Sequence, residues 1–520
     1  MSSFSATLEQ DLKSRVKGNC FFDLPSRKEY SSDESWYRII PVAVVQPRDA
    51  EDVQSVVEYC HEREIPIIPR GGATGLAGQA IGLGIILDFS KHMTGIFDIT
   101  PDSVRVEPGV VLAALNEKLD ATDRFFPIDP ASGNRCTIGG MIGTNAAGAH
   151  GIKYGAMKQT VKELKVVLST GEIAILGEAD SPAPSAGPFY DSIVSELTPL
   201  LSGNRDLIHQ RYPDVLKNSS GYNLHDALTA TGIDFRKILI GSEGTLGIVV
   251  ESSLRISPRP AHRTGALAYF DTEEKAVDAT ILGLEHDPSA IEILDDTYVS
   301  LVKGMHPEFD ALILDGARAM LYFEFEGDSP DDLSRSLMQL NRSLTLTPPM
   351  KFMPLVKKEE LRTVWRLREE ASSIINSQKS RGKTSFVEDV AVPLRSLPAY
   401  VRGLTDILRR NGIGFSIYGH AGVGNIHCAT FVDLKNLEHY KVVDRIASEV
   451  YALARSLGGT HSGEHGDGLI RTPFLEDLYG PEIYALFGKV KDAFDPRGIL
   501  NPGKIIGQQS ASILHDLIIQ

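Results

Sequence analysis

At 520 residues the chain is too long for one simple core, and two or three domains are expected. A net charge of -15 argues against a nucleic-acid partner, whose phosphates would be repelled, while leaving a small anionic substrate possible in a local cationic site. No apolar run approaches the roughly 20 residues that span a bilayer, and M-S-S-F-S-A-T-L-E-Q lacks the features of a secretory signal. The expectation is a cytoplasmic protein, at most peripheral at a membrane. Cys20, Cys60, Cys136 and Cys428 form no C-x-x-C, which speaks for reduced thiols and against a zinc ribbon or iron–sulfur run in this chain.

In chain order, residues 5–17 read as a short surface helix and 42–45 as a strand. Val53, Val56, Val57 and Cys60 follow helical spacing, so 50–63 is predicted as an amphipathic helix. Ile65, Ile67 and Ile68 make a buried strand that runs into P-R-G-G-A-T-G-L-A-G-Q, residues 69–79, before a further strand at 83–88. Glycine tolerates positive φ and close approach, and successive N–H groups in such a loop can converge on an anion. A glycine-rich hairpin turn is the plain alternative. The spacing is neither G-x-G-x-x-G nor that of a P-loop.

A strand at 104–107 and a helix at 111–119 lead to P-A-S-G-N-R-C-T-I-G-G-M-I-G-T-N-A-A-G, residues 130–148, which has almost no bulky side chains. Such a stretch lies against a flat partner or runs through tight packing. Residues 161–176 alternate around Thr170-Gly171 as a hairpin. The polar loop K-N-S-S-G-Y-N at 217–223 precedes a third glycine-bearing segment, L-I-G-S-E-G-T-L-G-I-V, at 239–249. Prolines at 258 and 260 mark a boundary. Beyond it, alternating runs (266–270, 319–325) and helical stretches (274–286, 329–342) read as an antiparallel sheet with helices on one face. Residues 353–370 read as a charged helix, with further helices at 395–411, 438–457 and from Pro481.

Y-G-H-A-G-V-G-N-I-H (418–427) and S-G-E-H-G-D-G (462–468) carry candidate chemistry. If 415–418 and 425–431 pair as a hairpin, His420 and His427 approach one point. Two imidazoles plus Glu464 suit a borderline divalent ion, zinc first, with manganese, cobalt or iron as alternatives. His465 is the candidate base. The plain alternatives are hydrogen-bonded structural histidines and a surface Glu464–His465 pair.

Taken together, these segments resemble the FAD-binding flavoproteins related to vanillyl-alcohol oxidase, over nearly the whole chain. The resemblance is strongest to the branch containing D-lactate, D-2-hydroxyglutarate and glycolate dehydrogenases. It implies a fold of α/β plus α+β: an FAD-binding domain over 1–260, an antiparallel-sheet cap over 261–450, and a helical return over 451–520. It implies FAD contacts from Pro69, Arg70, Gly71, Gly72, Ala73, Thr74, Gly75, Leu76, Gly78 and Gln79. Further contacts are implied from Pro130, Thr137, Ile138, Gly139, Gly140, Gly143, Asn145 and Gly148, and from Glu243, Gly244, Thr245, Gly247 and Ile248. Asn501, in the closing D-P-R-G-I-L-N-P-G-K, completes that set. Covalent relatives place a histidine where this chain has Gly72-Ala73, so the FAD is expected to be non-covalent.

The resemblance also makes His420, His427 and Glu464 metal ligands and His465 the proton acceptor. Arg368, within W-R-L-R-E, matches the arginine that holds the substrate carboxylate; Lys383 is a weaker match, and Arg366 reads as a solvated position. Two departures stand out: Val423 replaces the family's usual aspartate, and Ala429 replaces the asparagine found in 2-hydroxyglutarate enzymes. The second puts D-lactate first among expected substrates. The implied electron acceptor is a quinone, a cytochrome, an electron-transfer flavoprotein or a separate iron–sulfur subunit. Two other classes compete: a transferase like alkyl-dihydroxyacetonephosphate synthase, and a non-catalytic flavoprotein subunit.

Overall fold

The apolar strands on either side of the first glycine loop pair in parallel. In the computed structural model, which describes residues 2–178, 187–377, 386–432 and 436–507, β1 (Asn19–Phe21), β2 (Ala43–Gln46), β3 (Ile67–Arg70) and β4 (Ile85–Asp88) form a sheet of order β1-β2-β4-β3. Ile67 lies beside Ile85 and Arg70 beside Asp88. A tight turn cannot join parallel strands, so the loop is a crossover and the hairpin-turn alternative is excluded. The helix Ala50–Arg63 packs on this sheet as its spacing predicts. Asp49 caps it by accepting from the Asp52 N–H, and Val53, Val56, Val57 and Cys60 are buried.

The chain continues through β5 (Ile96–Phe97), β6 (Ser103–Val106), β7 (Arg124–Phe125), β8 (Val161–Val167), β9 (Ile173–Leu176), β10 (Ile248–Arg255) and β11 (Ser257–Pro258). β7 and β11 make a small ribbon; the other five form a sheet of order β5-β6-β10-β8-β9. β8 and β9 form the hairpin expected around Gly171.

The third sheet contains β12 (His262–Phe270), β13 (Ala290–Asp295), β14 (Ala319–Gly327), β15 (Lys351–Leu355), β16 (Val390–Ala391), β17 (Gly414–His420) and β18 (Asn425–Phe431). Its order is β15-β12-β14-β13-β17-β18-β16, antiparallel throughout. Helices cover both faces, not one. Ala266, Ala268 and Phe270 point to a core shared with the helices Glu273–Leu284, Pro330–Ser343, Leu397–Arg410 and Leu437–Ser456. Leu267 and Tyr269 point the other way, towards Leu361, Val364 and Leu367 of the helix Lys358–Ser377. Both faces of this sheet are buried and largely apolar, so strand alternation alone could not reveal the second helical layer. The charged helix also starts later than expected, because 351–355 is taken up as edge strand β15. Among the described residues no helix is long and apolar enough to cross a membrane.

His150 joins the glycine-rich segment to the seven-stranded sheet. Its Nδ1 lies 2.5 Å from Asp129 Oδ2 and its Nε2 2.9 Å from Glu324 Oε1. Around it, Trp365 and Tyr322 donate to Glu324, while Arg263, Lys153 and Tyr154 engage Glu326. Burial opposes charge on this imidazole, but Asp129 and Glu324 outweigh it and raise its pKa well above the ordinary 6.5. A raised native pKa stabilises fully below the unfolded value and is lost as pH rises through the native one. Replacing His150 with Leu should therefore cost about 3–5 kcal/mol below pH 6.5, with the deficit shrinking at alkaline pH. Urea denaturation of both proteins across pH checks this; a pH-independent difference would refute it.

Candidate active site

β17 and β18 form the expected hairpin, with Tyr418 opposite His427 and His420 opposite Asn425. A 3-10 turn, Ala421–Val423, closes it through Gly424, whose φ of +69° suits glycine and whose hypothetical Cβ would lie 2.1 Å from the Val392 carbonyl oxygen. Tyr418, Ala429 and Leu294 share the sheet face covered by Lys358–Ser377. Strand alternation therefore puts His420, His427 and Glu292 on that face too.

The three histidines converge on one carboxylate oxygen. Glu464 Oε1 lies 2.9 Å from His420 Nε2, 3.3 Å from His427 Nε2 and 4.0 Å from His465 Nε2. Each ring is held from behind through Nδ1. His420 Nδ1 faces Glu292 at 2.6 Å, His427 Nδ1 donates to the Glu388 carbonyl at 3.0 Å, and His465 Nδ1 faces the Glu388 carboxylate at 2.7 Å. Both hairpin histidines are thus held through Nδ1 without a carboxylate at position 423, where this chain has Val423.

Charge alternates through the site. Arg368 Nε donates to Glu292 Oε2 at 2.6 Å, Glu292 faces His420, His420 faces Glu464, and Glu464 Oε2 accepts from Lys217 Nζ at 2.7 Å. Burial pushes Glu292 up, but His420 and Arg368 bring it down to about 2. Burial likewise opposes Glu464, and Lys217 with His420 hold it well below the carboxylate range. Burial lowers the His427 pKa, favouring a neutral ring whose Nδ1–H is committed to a carbonyl and whose Nε2 lone pair faces Glu464. His420 is raised by Glu292 against its burial. His465 reaches about 9, because Asp389 and Glu388 outweigh burial.

Two Nε2 atoms and an ionised carboxylate, all buried, could hold a borderline divalent cation. Asp389, His427, Glu464 and His465 also lie close enough to share an ion. Asp389 is the weaker donor of these. Its Oδ1 accepts from Asn425, and its Oδ2 accepts from Ser462 and from the Glu464 and His465 N–H groups. The second such group, His150, Glu324 and Glu326, already pairs with the cations Arg263 and Lys153.

The three glycine-bearing segments also meet. The Glu243 N–H donates to the Gly143 carbonyl at 2.8 Å, and a Cβ on Gly71 would strike Thr137, while one on Gly244 would strike Pro69. Asn501 Nδ2 donates to the carbonyls of Gln79 and Glu243. Ala73, Asn145 and Glu243 are non-glycine residues at positive φ, one on each segment. Among the described residues, no protein acceptor receives a backbone N–H from 71–76, and those residues are not buried. That half-open row of amides fits an anionic pyrophosphate. A Cβ at Gly140 would touch Thr137 Oγ1 at 3.5 Å and one at Gly143 the Glu243 Cα at 3.9 Å; both are ordinary contacts, and the latter ties the second segment to the third.

Not every predicted contact faces this cradle with its side chain. Ile138 and Ile248 pack into cores, Thr245 hydrogen-bonds Ser242 and Tyr222, and Arg70 donates to the carbonyls of Tyr30, Ser32 and Ala80. Leu76, Gly75, Thr74 and Gly78 stay on the loop; Gly72, Pro130, Gly139 and Gly148 contribute close backbone packing, and Gly247 packs on the Leu239 side chain. Lys383 lies outside the described residues. Sequence reasoning missed Lys217, Glu292, Glu388, Asp389 and Arg471. The available signal was a charged residue inside an apolar run, as in A-I-E-I-L-D and F-V-E-D-V-A-V.

The cradle and the histidine cluster are continuous. Gln79 Nε2 donates to the His465 carbonyl at 2.5 Å, and Lys217 Nζ spans the Gly148 carbonyl (2.9 Å) and Glu464. This architecture, a glycine-lined α/β unit closed by an antiparallel-sheet cap, is that of a vanillyl-alcohol oxidase-type flavoprotein. Residues 41–177 match the model for an FAD binding domain, and residues 259–505 the model for FAD linked oxidases, C-terminal domain. The chain thus combines an FAD-binding domain with the C-terminal domain of FAD linked oxidases, and over most of its length it is similar to D-2-hydroxy-acid dehydrogenases.

A D-2-hydroxyglutarate dehydrogenase of Pantoea ananatis is 30% identical over 508 residues, covering 92% of this chain and 49% of that protein. The glycolate oxidase subunit GlcD of Bacillus subtilis is 28% identical over 492 residues, 93% of each chain. The chain thus spans about half the length of the D-2-hydroxyglutarate dehydrogenases it matches. The 4-ethylphenol oxidase of Gulosibacter chungangensis shares the fold, with a TM-score of 0.72 at 16% identity, over 97% of this chain and 98% of that one.

Proposed function

We propose that the protein oxidises a D-2-hydroxy acid to the 2-oxo acid, using non-covalent FAD and a divalent metal. The observation that carries this reading is the contact of the cradle with the histidine cluster through Gln79 and Lys217. D-2-hydroxyglutarate is placed ahead of D-lactate, since a relative named for that acid matches 92% of this chain at 30% identity. D-lactate and glycolate are the alternatives. The segments at 69–79, 130–148 and 239–248, with Asn501, would hold the FAD.

His420, His427 and Glu464 would hold the metal, zinc first, with manganese, cobalt or iron as alternatives. When bound, such an ion supplies Lewis acidity towards the C2 hydroxyl, and the flavin supplies the hydride acceptor. Arg368 anchors the substrate carboxylate from the helix Lys358–Ser377. Glu292 holds Arg368 on one side and His420 on the other. His465 Nε2 takes the hydroxyl proton when the ring is neutral, and the neutral fraction grows as pH rises towards about 9. The electrons would pass on to an acceptor: a quinone, a cytochrome, an electron-transfer flavoprotein or an iron–sulfur centre.

Anaerobic mixing of the FAD-bound protein with D-2-hydroxyglutarate, D-lactate, L-lactate and glycolate tests this. Bleaching of the flavin by a D-acid, lost after EDTA and regained with Zn²⁺ or Mn²⁺, is expected. A protein that holds FAD and metal yet is bleached by no acid would overturn the dehydrogenase reading and favour a transferase.

A further inference from the structure

We propose that Glu388 and Arg471 are positioning residues that lock the proton of neutral His465 onto Nδ1 and so keep Nε2 free to act as the base. The proposal rests on the role assigned to His465 above. His465 Nδ1 lies 2.7 Å from Glu388 Oε2, and the other oxygen, Oε1, accepts from Arg471 Nη2 at 2.5 Å. Arg471 Nη1 donates to the Gly466 carbonyl at 2.6 Å, which ties the guanidinium to the loop that carries His465. Arg471 is fully buried and Glu388 nearly so. Asp389, the next residue, holds the His465 and Glu464 N–H groups, so ring and backbone are fixed from one strand-end dipeptide. The Glu388 carbonyl also holds His427 Nδ1, and the His427 and His465 rings stack at 5.0 Å and 10°.

The arrangement is directional because a guanidinium can only donate. Glu388, an acceptor at both oxygens, satisfies Arg471 and His465 together. A glutamine there cannot. Its single oxygen must face Arg471, which leaves its NH₂ group facing His465 Nδ1. The imidazole must then accept at Nδ1 and carry its proton on Nε2, where the substrate proton should arrive. Glu388→Gln thus differs from wild type by one atom and inverts the tautomer. Removing the donor as well, in Glu388→Gln/Arg471→Met, frees the amide to turn its oxygen to His465. It also keeps the pair neutral overall, because one charge of each sign is lost.

The test uses FAD-bound, zinc-loaded protein with ¹⁵N-labelled histidine. Long-range ¹H–¹⁵N correlation at a pH where the ring is neutral reads the tautomer of His465, assigned by loss of its signals in His465→Gln. Wild type should carry the proton on Nδ1, Glu388→Gln on Nε2, and the double variant on Nδ1 again. Stopped-flow flavin reduction should fall about 10²- to 10⁴-fold in Glu388→Gln, with KM changed far less, and recover at least about tenfold in the double variant. Wild-type protein with the proton on Nε2 overturns the proposal without any variant. So does Glu388→Gln that keeps Nδ1–H and reduces flavin at the wild-type rate. If no hydroxy acid reduces the flavin but the tautomer inverts and reverts as stated, the positioning role stands and the dehydrogenase reading fails.

Discussion

On the function proposed above, Glu464→Gln is expected to slow flavin reduction by a D-2-hydroxy acid at least about 10³-fold, or about 4 kcal/mol, and to abolish the proposed metal binding. Glu464 is the hub of the cluster: one oxygen faces both hairpin histidines, and the other pairs with Lys217. The amide cannot supply the anionic donor, and it leaves Lys217, whose side chain is 1% exposed, without its counter-charge. FAD should stay bound, because Gln79, Glu243 and Asn501 join the cradle segments without Glu464. Metal analysis, the flavin spectrum and anaerobic reduction check the three parts separately. A variant that keeps stoichiometric metal and the wild-type rate would remove Glu464 from the chemistry.

Arg368→Met should raise KM for the hydroxy acid about 10²- to 10³-fold and lower stability by about 3–5 kcal/mol. Arg368 is 5% exposed, and its Nε–Glu292 bond is one end of the charge chain that reaches His420. Methionine fills the space but leaves the buried Glu292 short of one partner. Arg368→Lys should recover little, because a point charge cannot reproduce the planar fork. Arg366, two residues away, provides the control. Its side chain is 46% exposed beside Glu308 and Glu370, and Arg366→Ala should shift stability by no more than about 0.5 kcal/mol. Steady-state kinetics and urea denaturation of all three variants test the contrast; equal effects at 366 and 368 would refute it.

Much of the architecture was legible from local pattern. The helix Ala50–Arg63 has the predicted bounds, since its cap, its 3.6-residue spacing and its apolar face all lie within the one local stretch 49–63. The hairpin that brings His420 near His427 follows from two short alternating runs and a glycine turn. The glycine loop was visible as well. Whether it was a turn or a crossover was not, because strand direction depends on which neighbour each strand finds, and β3 and β4 run parallel.

The site divides the same way. Histidines, Glu464 and the glycine segments announce themselves because those residue types are chemically unusual at those spacings. Their partners do not. Lys217, Glu292, Glu388 and Arg471 come from four separate stretches, and each is an ordinary charged residue until the fold buries it beside the others. The second helical layer was hidden for a related reason: a sheet buried on both faces loses the polar alternation that would mark its exposed side. The sequence by itself therefore determined which groups are candidates to bind a flavin and carry the chemistry. Only the tertiary structure decided which carboxylate orients which imidazole, because that choice is made by long-range packing in a water-excluded interior, where a buried charge must find a partner.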